Sequence, residues 1–119
     1  MKIYISGRIT GTDDYKLRFG RAANEIRKKG HEPINPVGLH SILDPRTTSW
    51  AQYMAAALGL LYASDAILLL PDWEKSNGAQ KERAAARRLG MRIYYDPKQI
   101  LHKIPLNDDR IEKDMEAEP

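Results

Sequence analysis

A short, unbroken apolar segment near the middle of the chain limits the possible folds most. Residues 66–70 form the run Ala-Ile-Leu-Leu-Leu, which Pro71 closes. A run of this length, bounded by a chain-breaking residue, is typical of a buried strand. A polar loop follows, and then the alanine-rich residues 78–89 predict a helix that Gly90 ends. The centre of the chain is therefore a strand, a loop and a helix, in that order.

Similar units occur along most of the chain. We predict strands at residues 2–6, 31–35, 65–71 and 91–95, and helices at residues 12–29, 50–63 and 78–89. This alternation predicts an α/β fold in which a small parallel sheet of four to five strands carries helices on both faces. Ligands of such sheets bind beyond the carboxyl ends of the strands. The loops at that edge are residues 6–13, 35–48 and 72–78.

Polar side chains mark the predicted helix starts. Ser49 should cap the second helix and Asn77 the third, because both types of side chain can accept a hydrogen bond from a free backbone N–H. Gln80 follows Asn77 at the spacing of a capping box. For the first helix we expect an inner face made of Leu17, Ala22, Ala23 and Ile26.

Length and composition favour one ordinary domain. The chain has 119 residues, and we assign residues 1–105 to the domain and residues 106–119 to an acidic tail that we predict to be mobile. Cysteine is absent, which excludes disulfides and thiolate metal sites, and the three histidines lack metal-site spacing. No secretory signal or membrane span is evident, so we expect a cytoplasmic protein that uses no metal or cofactor.

The net charge of +3 hides an asymmetry along the chain. Residues 106–119 carry a net charge of −4, which leaves +7 on residues 1–105. A basic domain suits a phosphorylated small molecule or a nucleic acid, although a solvated basic surface is an equally good interpretation. A nucleic-acid partner is the weaker of the two, because no basic stripe with interleaved aromatic residues is present.

Glu82 is the strongest candidate for a functional residue. Its neighbours three and four positions away on the predicted helix are all glycine or alanine: Gly78, Ala79, Ala85 and Ala86. None of them can pair with a carboxylate, and the helix N-terminus nearby favours a negative charge. Glu82 is therefore placed to meet a ligand, unless it is one of the many helical glutamates that simply face solvent.

The loop after the first strand is a candidate anion site. Gly7 and Gly11 bracket Arg8, Ile9 and Thr10, and backbone amides beside a helix start bind anions well. Arg8 adds a guanidinium that suits a phosphate. The segment lacks the Gly-Lys-Ser/Thr ending of a P-loop and is not a Gly-x-Gly-x-x-Gly motif, so a simple tight turn is the alternative.

Three motifs in this chain resemble the nucleoside 2-deoxyribosyltransferase superfamily. They are Tyr4-Ile5-Ser6-Gly7-Arg8-Ile9-Thr10-Gly11, the strand Asp65-Ala66-Ile67-Leu68-Leu69-Leu70-Pro71, and Ser76-Asn77-Gly78-Ala79-Gln80-Lys81-Glu82. Within the superfamily the chain is most similar to short bacterial and phage proteins with an Ile-Asn-Pro strand, here Ile34 to Pro36, and a Leu-Leu-Pro-x-Trp-Glu-x-Ser-x-Gly-Ala loop, here Leu69 to Ala79. The resemblance covers residues 2–96.

The resemblance implies a flavodoxin-like three-layer sandwich and cleavage of the N-glycosidic bond of a nucleoside or nucleoside 5′-monophosphate. Glu82, four residues after Gly78, would be the nucleophile, and Ser76 would bind phosphate. The other residues that the resemblance places at the substrate are Tyr4, Ser6, Gly7, Arg8, Ile9, Gly11, Asn35, Trp73 and Gly78. From their residue type, Trp73 and Tyr53 suit stacking on a base, although packing in the core or at its rim is commoner.

One departure from the family pattern concerns the second carboxylate. Many relatives carry an aspartate eight residues before the acid that opens the third strand, where it assists proton transfer to the leaving base. Here that acid is Asp65, and Ala57 stands at the aspartate's position. Relatives also often have proline where Arg8 stands. The resemblance therefore leaves two hypotheses: an N-glycosidase or deoxyribosyltransferase-like enzyme, and a non-catalytic nucleotide-binding protein.

The second helix predicts self-association. Residues 50–63 carry no charge on any side, unlike an ordinary surface helix. A four-stranded domain has little material with which to cover such a helix. We therefore expect a homodimer or larger assembly with this helix at the interface, an arrangement that the resemblance also implies.

Overall fold

The computed structural model describes residues 1–104, and the predicted acidic tail lies outside the described residues. The elements in chain order are β1 (Lys2–Ser6), α1 (Tyr15–Lys28), β2 (Glu32–Ile34), α2 (Trp50–Tyr62), β3 (Ala66–Leu69), α3 (Asn77–Arg88) and β4 (Arg92–Tyr94). Short 3₁₀ helices at Pro36–Ser41, Trp73–Lys75 and Pro97–Gln99 complete the loops. None of the helices in residues 1–104 is long and apolar enough to cross a membrane.

The predicted α/β fold is confirmed. The four strands form one sheet in the order β2-β1-β3-β4, and every neighbouring pair is parallel. This order matches the first four strands of the flavodoxin-like arrangement. Because the chain leaves β1 toward β2 and later returns past it to β3, the connections diverge between β1 and β3. In parallel sheets a crevice opens at this switch point, beyond the carboxyl ends of the two strands.

The alternation of side chains along β1 separates two cores. Ile3 and Ile5 face α1, where they pack with Phe19, Ile26 and Leu68. Tyr4 and Ser6 face α2 and α3 instead, on the side of the sheet where Ile67, Leu69 and Leu61 form the second core. Since the period is two, Tyr4 and Ser6 lie on the same face of the sheet as α3. That geometry positions the candidate site.

The ends of the three helices lie within three residues of the predicted ends. Ser49 caps α2, as predicted, and forms a full capping box with Gln52 that was not predicted. The cap of α3 is Ser76 rather than Asn77, because the Ser76 side chain accepts from the N–H of Ala79 at 3.1 Å and Asn77 already lies in the helix. The helix therefore begins one residue earlier than expected.

The inner face of α1 was predicted wrongly at one position. Leu17 is 55% exposed, whereas Phe19 is fully buried between Ala22, Ala23 and the sheet. Leu17 lies nine residues before Ile26, and at 100° per residue this spacing places the two on opposite sides of a helix. The predicted face mixed two sides of the helix.

Candidate active site

The Glu82 side chain is buried against the sheet. It is 5% exposed, although it sits on a helix whose outer side is covered with arginine and lysine. Ala79, Ala85 and Ala86, one turn away in each direction, are buried as well. These small residues let α3 approach the sheet closely, so the only carboxylate on this face of the helix reaches β1. The solvent-exposed alternative for Glu82 is therefore wrong.

Two hydroxyl groups of β1 hold the Glu82 carboxylate. The Tyr4 hydroxyl donates a short hydrogen bond to Oε2, and the Ser6 hydroxyl donates one of 2.7 Å to Oε1. Both hydroxyls are buried with the carboxylate. Each oxygen thus has one fixed donor and keeps a lone-pair direction for a second partner. Sequence reasoning placed Tyr4 and Ser6 at the substrate, but their contacts here are to Glu82.

Burial dominates the electrostatics of this group. Desolvation raises the pKa of Glu82, and the hydrogen bonds from Tyr4 and Ser6 lower it in part. Burial and then the charge of Glu82 raise the pKa of Tyr4 well above its ordinary value. The pKa of Tyr53, on α2, is raised to about 12, first by burial and then by the charge of Glu82. The buried Glu82 carboxyl group therefore holds its proton more tightly than an exposed glutamate does.

A close packing contact fixes the start of the loop after β1. A Cβ at Gly7 would lie 3.0 Å from the Cβ of Leu70, at the end of β3, so any side chain there would collide with the neighbouring strand end. Four residues on, Gly11 has a φ of +80°, which other residues rarely adopt. Both glycines of the bracketed loop are therefore structurally required.

Arg18 holds this loop in place, a role that sequence reasoning missed. One of its terminal nitrogens donates to the backbone oxygen of Arg8 at 2.9 Å and to the hydroxyl of Thr12 at 3.2 Å. Its Nε donates to Asp14 at 3.1 Å. Only the one-turn spacing between Asp14 and Arg18 signals any of this in the sequence. The guanidinium ties the loop to the first turn of α1.

A cavity of about 490 Å³ opens between this loop and the start of α3. It is lined by Arg8, Ile9, Thr10, Trp50, Lys75, Ser76, Asn77 and Gly78. Two cations, a serine hydroxyl and the N-terminal turn of a helix meet there, which is a combination suited to an anion. The position is the crevice between β1 and β3 that the strand order predicts. Glu82 follows Gly78 by one helical turn.

A second cavity of about 210 Å³ lies beside the first and has the opposite character. The two share Ile9, Thr10 and Trp50 as lining residues. The second is otherwise lined by His40, Leu43, Pro45, Thr48, Ser49, Tyr53 and Met54. These side chains carry rings and apolar groups rather than fixed charges. The two cavities are therefore adjacent, and we call the first the charged cavity and the second the aromatic cavity.

Met54 lies between the aromatic cavity and the start of α3. A Cβ at Gly78 would lie 3.2 Å from the Met54 sulfur, so the absence of a side chain at position 78 lets α2 and α3 approach there. Met54 itself is buried and lines the aromatic cavity. A thioether on three rotatable bonds adapts its shape readily. The wall beside Gly78 is therefore adaptable.

Asn35 and Trp73, both predicted at the substrate, line neither cavity. The Asn35 side chain accepts from the N–H of Val37 at 3.1 Å and caps the 3₁₀ helix that follows. Trp73 packs against Arg83, whose guanidinium lies 4.9 Å from the indole ring, and against Tyr95 at 6.1 Å between ring centroids.

Ala57, at the position of the missing second carboxylate, is 1% exposed on the inner face of α2.

Two solved structures that superpose on this chain are 2-deoxyribosyltransferases. A 2-deoxyribosyltransferase from Bacillus psychrosaccharolyticus superposes with a TM-score of 0.61 at 16% identity, over 78% of this chain and 69% of that one. A 2-deoxyribosyltransferase from Leishmania mexicana gives 0.58 at 21% identity, over 77% of this chain and 61% of the other. The chain therefore has the 2-deoxyribosyltransferase fold and spans less than two-thirds of the Leishmania protein.

Sequence places the chain in one family. Residues 1–95 match the family described as Domain of unknown function (DUF4406), and the chain belongs to it. No curated protein matches the chain.

Proposed function

We propose that this protein cleaves the N-glycosidic bond of a nucleoside 5′-monophosphate or nucleoside, with Glu82 as the nucleophile. The observation that carries the proposal is the buried Glu82 carboxylate, held by Tyr4 and Ser6 one helical turn from the cavity at the switch point of the sheet. A buried acid with a raised pKa and specific partners, beside a cleft, is typical of a functional group. The shared fold of two 2-deoxyribosyltransferases supports the same chemistry.

The carboxylate suits attack on an anomeric carbon. One oxygen would bond to that carbon while the glycosidic bond to the base breaks, and a glycosyl ester of Glu82 would form. Water would then release the free sugar, or a second base would give a new nucleoside. Tyr4 and Ser6 would fix the direction of the attacking oxygen, because each occupies one side of the carboxylate.

The charged cavity would hold the 5′-phosphate. Arg8 and Lys75 supply positive charge, and Lys75 is only loosely paired with Asp72 at 3.9 Å. The Ser76 oxygen accepts from the N–H of Ala79, which leaves its hydroxyl hydrogen available to a phosphate oxygen. The aromatic cavity would then receive the base, because planar rings pack well against the Tyr53 and Trp50 side chains.

The second candidate function is nucleotide binding without turnover. The buried alanine at position 57 favours it, since the chain has no carboxylate where relatives place their proton donor. A binder would keep both cavities and would lose only the chemistry. The two functions differ in one measurable product, the free base.

Incubation with a panel of nucleosides and nucleoside 5′-monophosphates, with release of free base as the readout, tests the proposal. We expect cleavage by the wild type and none by Glu82→Ala or by Glu82→Gln, which keeps the shape of the side chain. Glu74→Gln, an exposed acid outside both cavities, is the matched control and should retain activity. Cleavage that survives in both Glu82 variants contradicts the assignment of Glu82 as nucleophile.

Binding of a nucleotide without release of base supports the second candidate function. Adding a second base and looking for the exchanged nucleoside separates transfer from hydrolysis.

We also infer that the protein assembles as a homodimer or larger oligomer through α2. The outer side of this helix has no charged residue, and Trp50 and Tyr62 at its two ends are 51% and 56% exposed. A charge-free surface with half-exposed rings is typical of an interface. Trp50 also lines both cavities, so an assembly through α2 would lie directly beside the site.

A further inference from the structure

We propose that His40 is the acid that protonates the departing base, in place of the carboxylate missing at position 57. The proposal rests on the function proposed above and names a residue that neither the sequence motifs nor the family pattern singles out. It follows from where the segment between β2 and α2 places an imidazole in the aromatic cavity.

The surroundings of His40 position its ring against the cavity. The residue lies near the end of the 3₁₀ helix Pro36–Ser41 and lines the aromatic cavity. Its ring stands edge-on to Tyr15 at 5.8 Å and is tilted against Tyr53 at 5.3 Å between centroids. The Tyr15 hydroxyl oxygen is 3.5 Å from Nδ1. Within residues 1–104, Nε2 makes no hydrogen bond, so the proton on this nitrogen is the one we assign to the reaction.

His40 is also the suitable acid among its neighbours. Tyr15 and Tyr53 are the titratable groups that face it, and the other side chains lining this cavity carry no charge. The Tyr53 hydroxyl donates to the backbone oxygen of Pro36 at 3.1 Å and is therefore already committed. Imidazole is the side chain used most often to give and take protons near neutral pH. Met54 lines the cavity with His40, and its sulfur would lie 3.2 Å from a Cβ at Gly78, one helical turn before Glu82. The proposed acid is therefore one side chain away from the helix that carries the nucleophile.

The proton balance of the two steps is complete. In the first, Glu82 bonds to the anomeric carbon, the glycosidic electron pair goes to the base nitrogen, and the His40 imidazolium transfers its proton to the base. In the second, neutral His40 takes a proton from the attacking water, the new C–O bond forms, and the ester bond to Glu82 breaks. The carboxylate and the imidazolium are both regenerated, and the sum is hydrolysis by one water molecule.

Substrates that differ only in the leaving group test the role. We would compare a nucleoside 5′-monophosphate that the wild type cleaves with the 4-nitrophenyl glycoside of the same sugar 5-phosphate, whose nitrophenolate leaves without a proton. Replacing a general acid typically costs 10²- to 10⁴-fold. Because the second step is common to both substrates, the first turnover is measured. We expect His40→Gln to lose roughly that factor in first-turnover release of base from the nucleotide and to release nitrophenolate in the first turnover at the wild-type rate. His102→Gln, an exposed histidine, is the matched control and should change neither rate.

Two further readouts separate proton transfer from a structural role. The wild-type rate on the nucleotide should fall at high pH as the imidazolium is lost, and His40→Gln should lack this fall. Added imidazole should restore part of the nucleotide rate in His40→Ala, because a small acid can enter the space left behind. Equal losses on both substrates, with no rescue, would overturn the proposal, since a merely misfolded cavity slows both reactions.

The failure of this inference is distinguishable from failure of the proposed function. If the wild type cleaves the nitrophenyl substrate through Glu82 but no nucleotide, Glu82 stands as nucleophile and His40 is not an acid. If His40→Gln cleaves nucleotides at the wild-type rate, the function stands and the inference fails. If the wild type cleaves neither substrate, both fail together.

Discussion

Ser6 and Glu82 lie 76 positions apart in the chain and meet through a 2.7 Å hydrogen bond between the serine hydroxyl and Oε1. The contact joins the last residue of β1 to the second turn of α3, on one face of the sheet. Tyr4, two residues earlier on the same face, secures the other carboxylate oxygen. The buried acid is thus held by a strand that the fold places at its centre, and the positions of both hydroxyls follow from the sheet itself.

Burial of the acid predicts a pH-dependent stability. The pKa of Glu82 is raised in the folded protein. The stability that Glu82 contributes is therefore fully present below the ordinary glutamate pKa, and it is lost as the pH rises through the raised pKa of the folded state. Glu82→Gln removes this loss, and its amide can still bond both hydroxyls. The free energy of unfolding of the variant, relative to wild type, should therefore increase from about pH 4 upward. Urea unfolding across that range measures it.

The matched control for this effect is Glu74→Gln. That acid is exposed, so its replacement should leave the pH dependence of unfolding unchanged. A Glu82→Gln variant whose relative stability falls as the pH rises would show that the hydroxyl groups stabilise the charged form more than burial opposes it.

Arg8 should discriminate a nucleotide from its nucleoside. A charge-assisted hydrogen bond contributes about 1.5–3 kcal/mol, so Arg8→Ala should weaken binding of a nucleoside 5′-monophosphate by roughly 10- to 150-fold. Binding of the nucleoside should barely change. Titration calorimetry with both ligands measures the difference. Arg21→Ala, an exposed arginine of α1 that does not line the cavity, is the control. Equal losses for nucleotide and nucleoside would count against a phosphate role.

The order of the elements and the importance of Glu82 could be predicted because both depend on local pattern. Strand runs, helix stops and the stripe of small residues around Glu82 are visible within a few positions of one another. The partners of Glu82 needed one more step. Tyr4 and Ser6 share a face because strands alternate, but nothing local shows that this face meets α3.

Ile9 and Tyr53 could be predicted among the residues that line the aromatic cavity, but His40 could not. His40 comes from residues 37–48, where the sequence has no periodicity, and its place depends on the rings of Tyr15 and Tyr53 from two different helices. Such a cluster is a product of tertiary packing alone. The same holds for Arg18, whose three acceptors lie in the loop before its helix.

Two glycines of similar sequence context should respond oppositely to alanine. At Gly7 a Cβ would lie 3.0 Å from the Leu70 Cβ, which cannot move away without its backbone, so Gly7→Ala should destabilise by about 1–3 kcal/mol. At Gly20, inside α1, a Cβ meets nothing within 4 Å. Gly20→Ala should stabilise by about 0.5–1 kcal/mol, because alanine favours the helix. Denaturant unfolding decides both, and a stabilising Gly7→Ala would contradict the close contact.

Self-association through α2 should be sensitive to a single charge. Ala55 is exposed on the outer side of this helix, so Ala55→Glu would place a carboxylate within the predicted interface. We expect sedimentation of the wild type as a dimer or larger species at tens of micromolar, and of the variant as a monomer. Ala84→Glu, at an exposed alanine of α3, should leave the assembly intact. A wild-type protein that sediments as a monomer removes the idea.

Ala57→Asp should reveal whether the chain lacks only its second acid. Ala57 is 1% exposed, and a carboxylate buried there without a partner should reduce stability by about 1–3 kcal/mol, so unfolding must be measured beside activity. In a folded variant the new acid should speed release of base from a nucleotide only if no other group already protonates the departing base. A gain in a protein that is otherwise inactive identifies a binder that has lost its proton donor. If the wild type is active and Ala57→Asp adds nothing, a proton donor is already in place, as the position of His40 predicts. A folded variant that slows the reaction instead would show that position 57 does not face the leaving base in this protein.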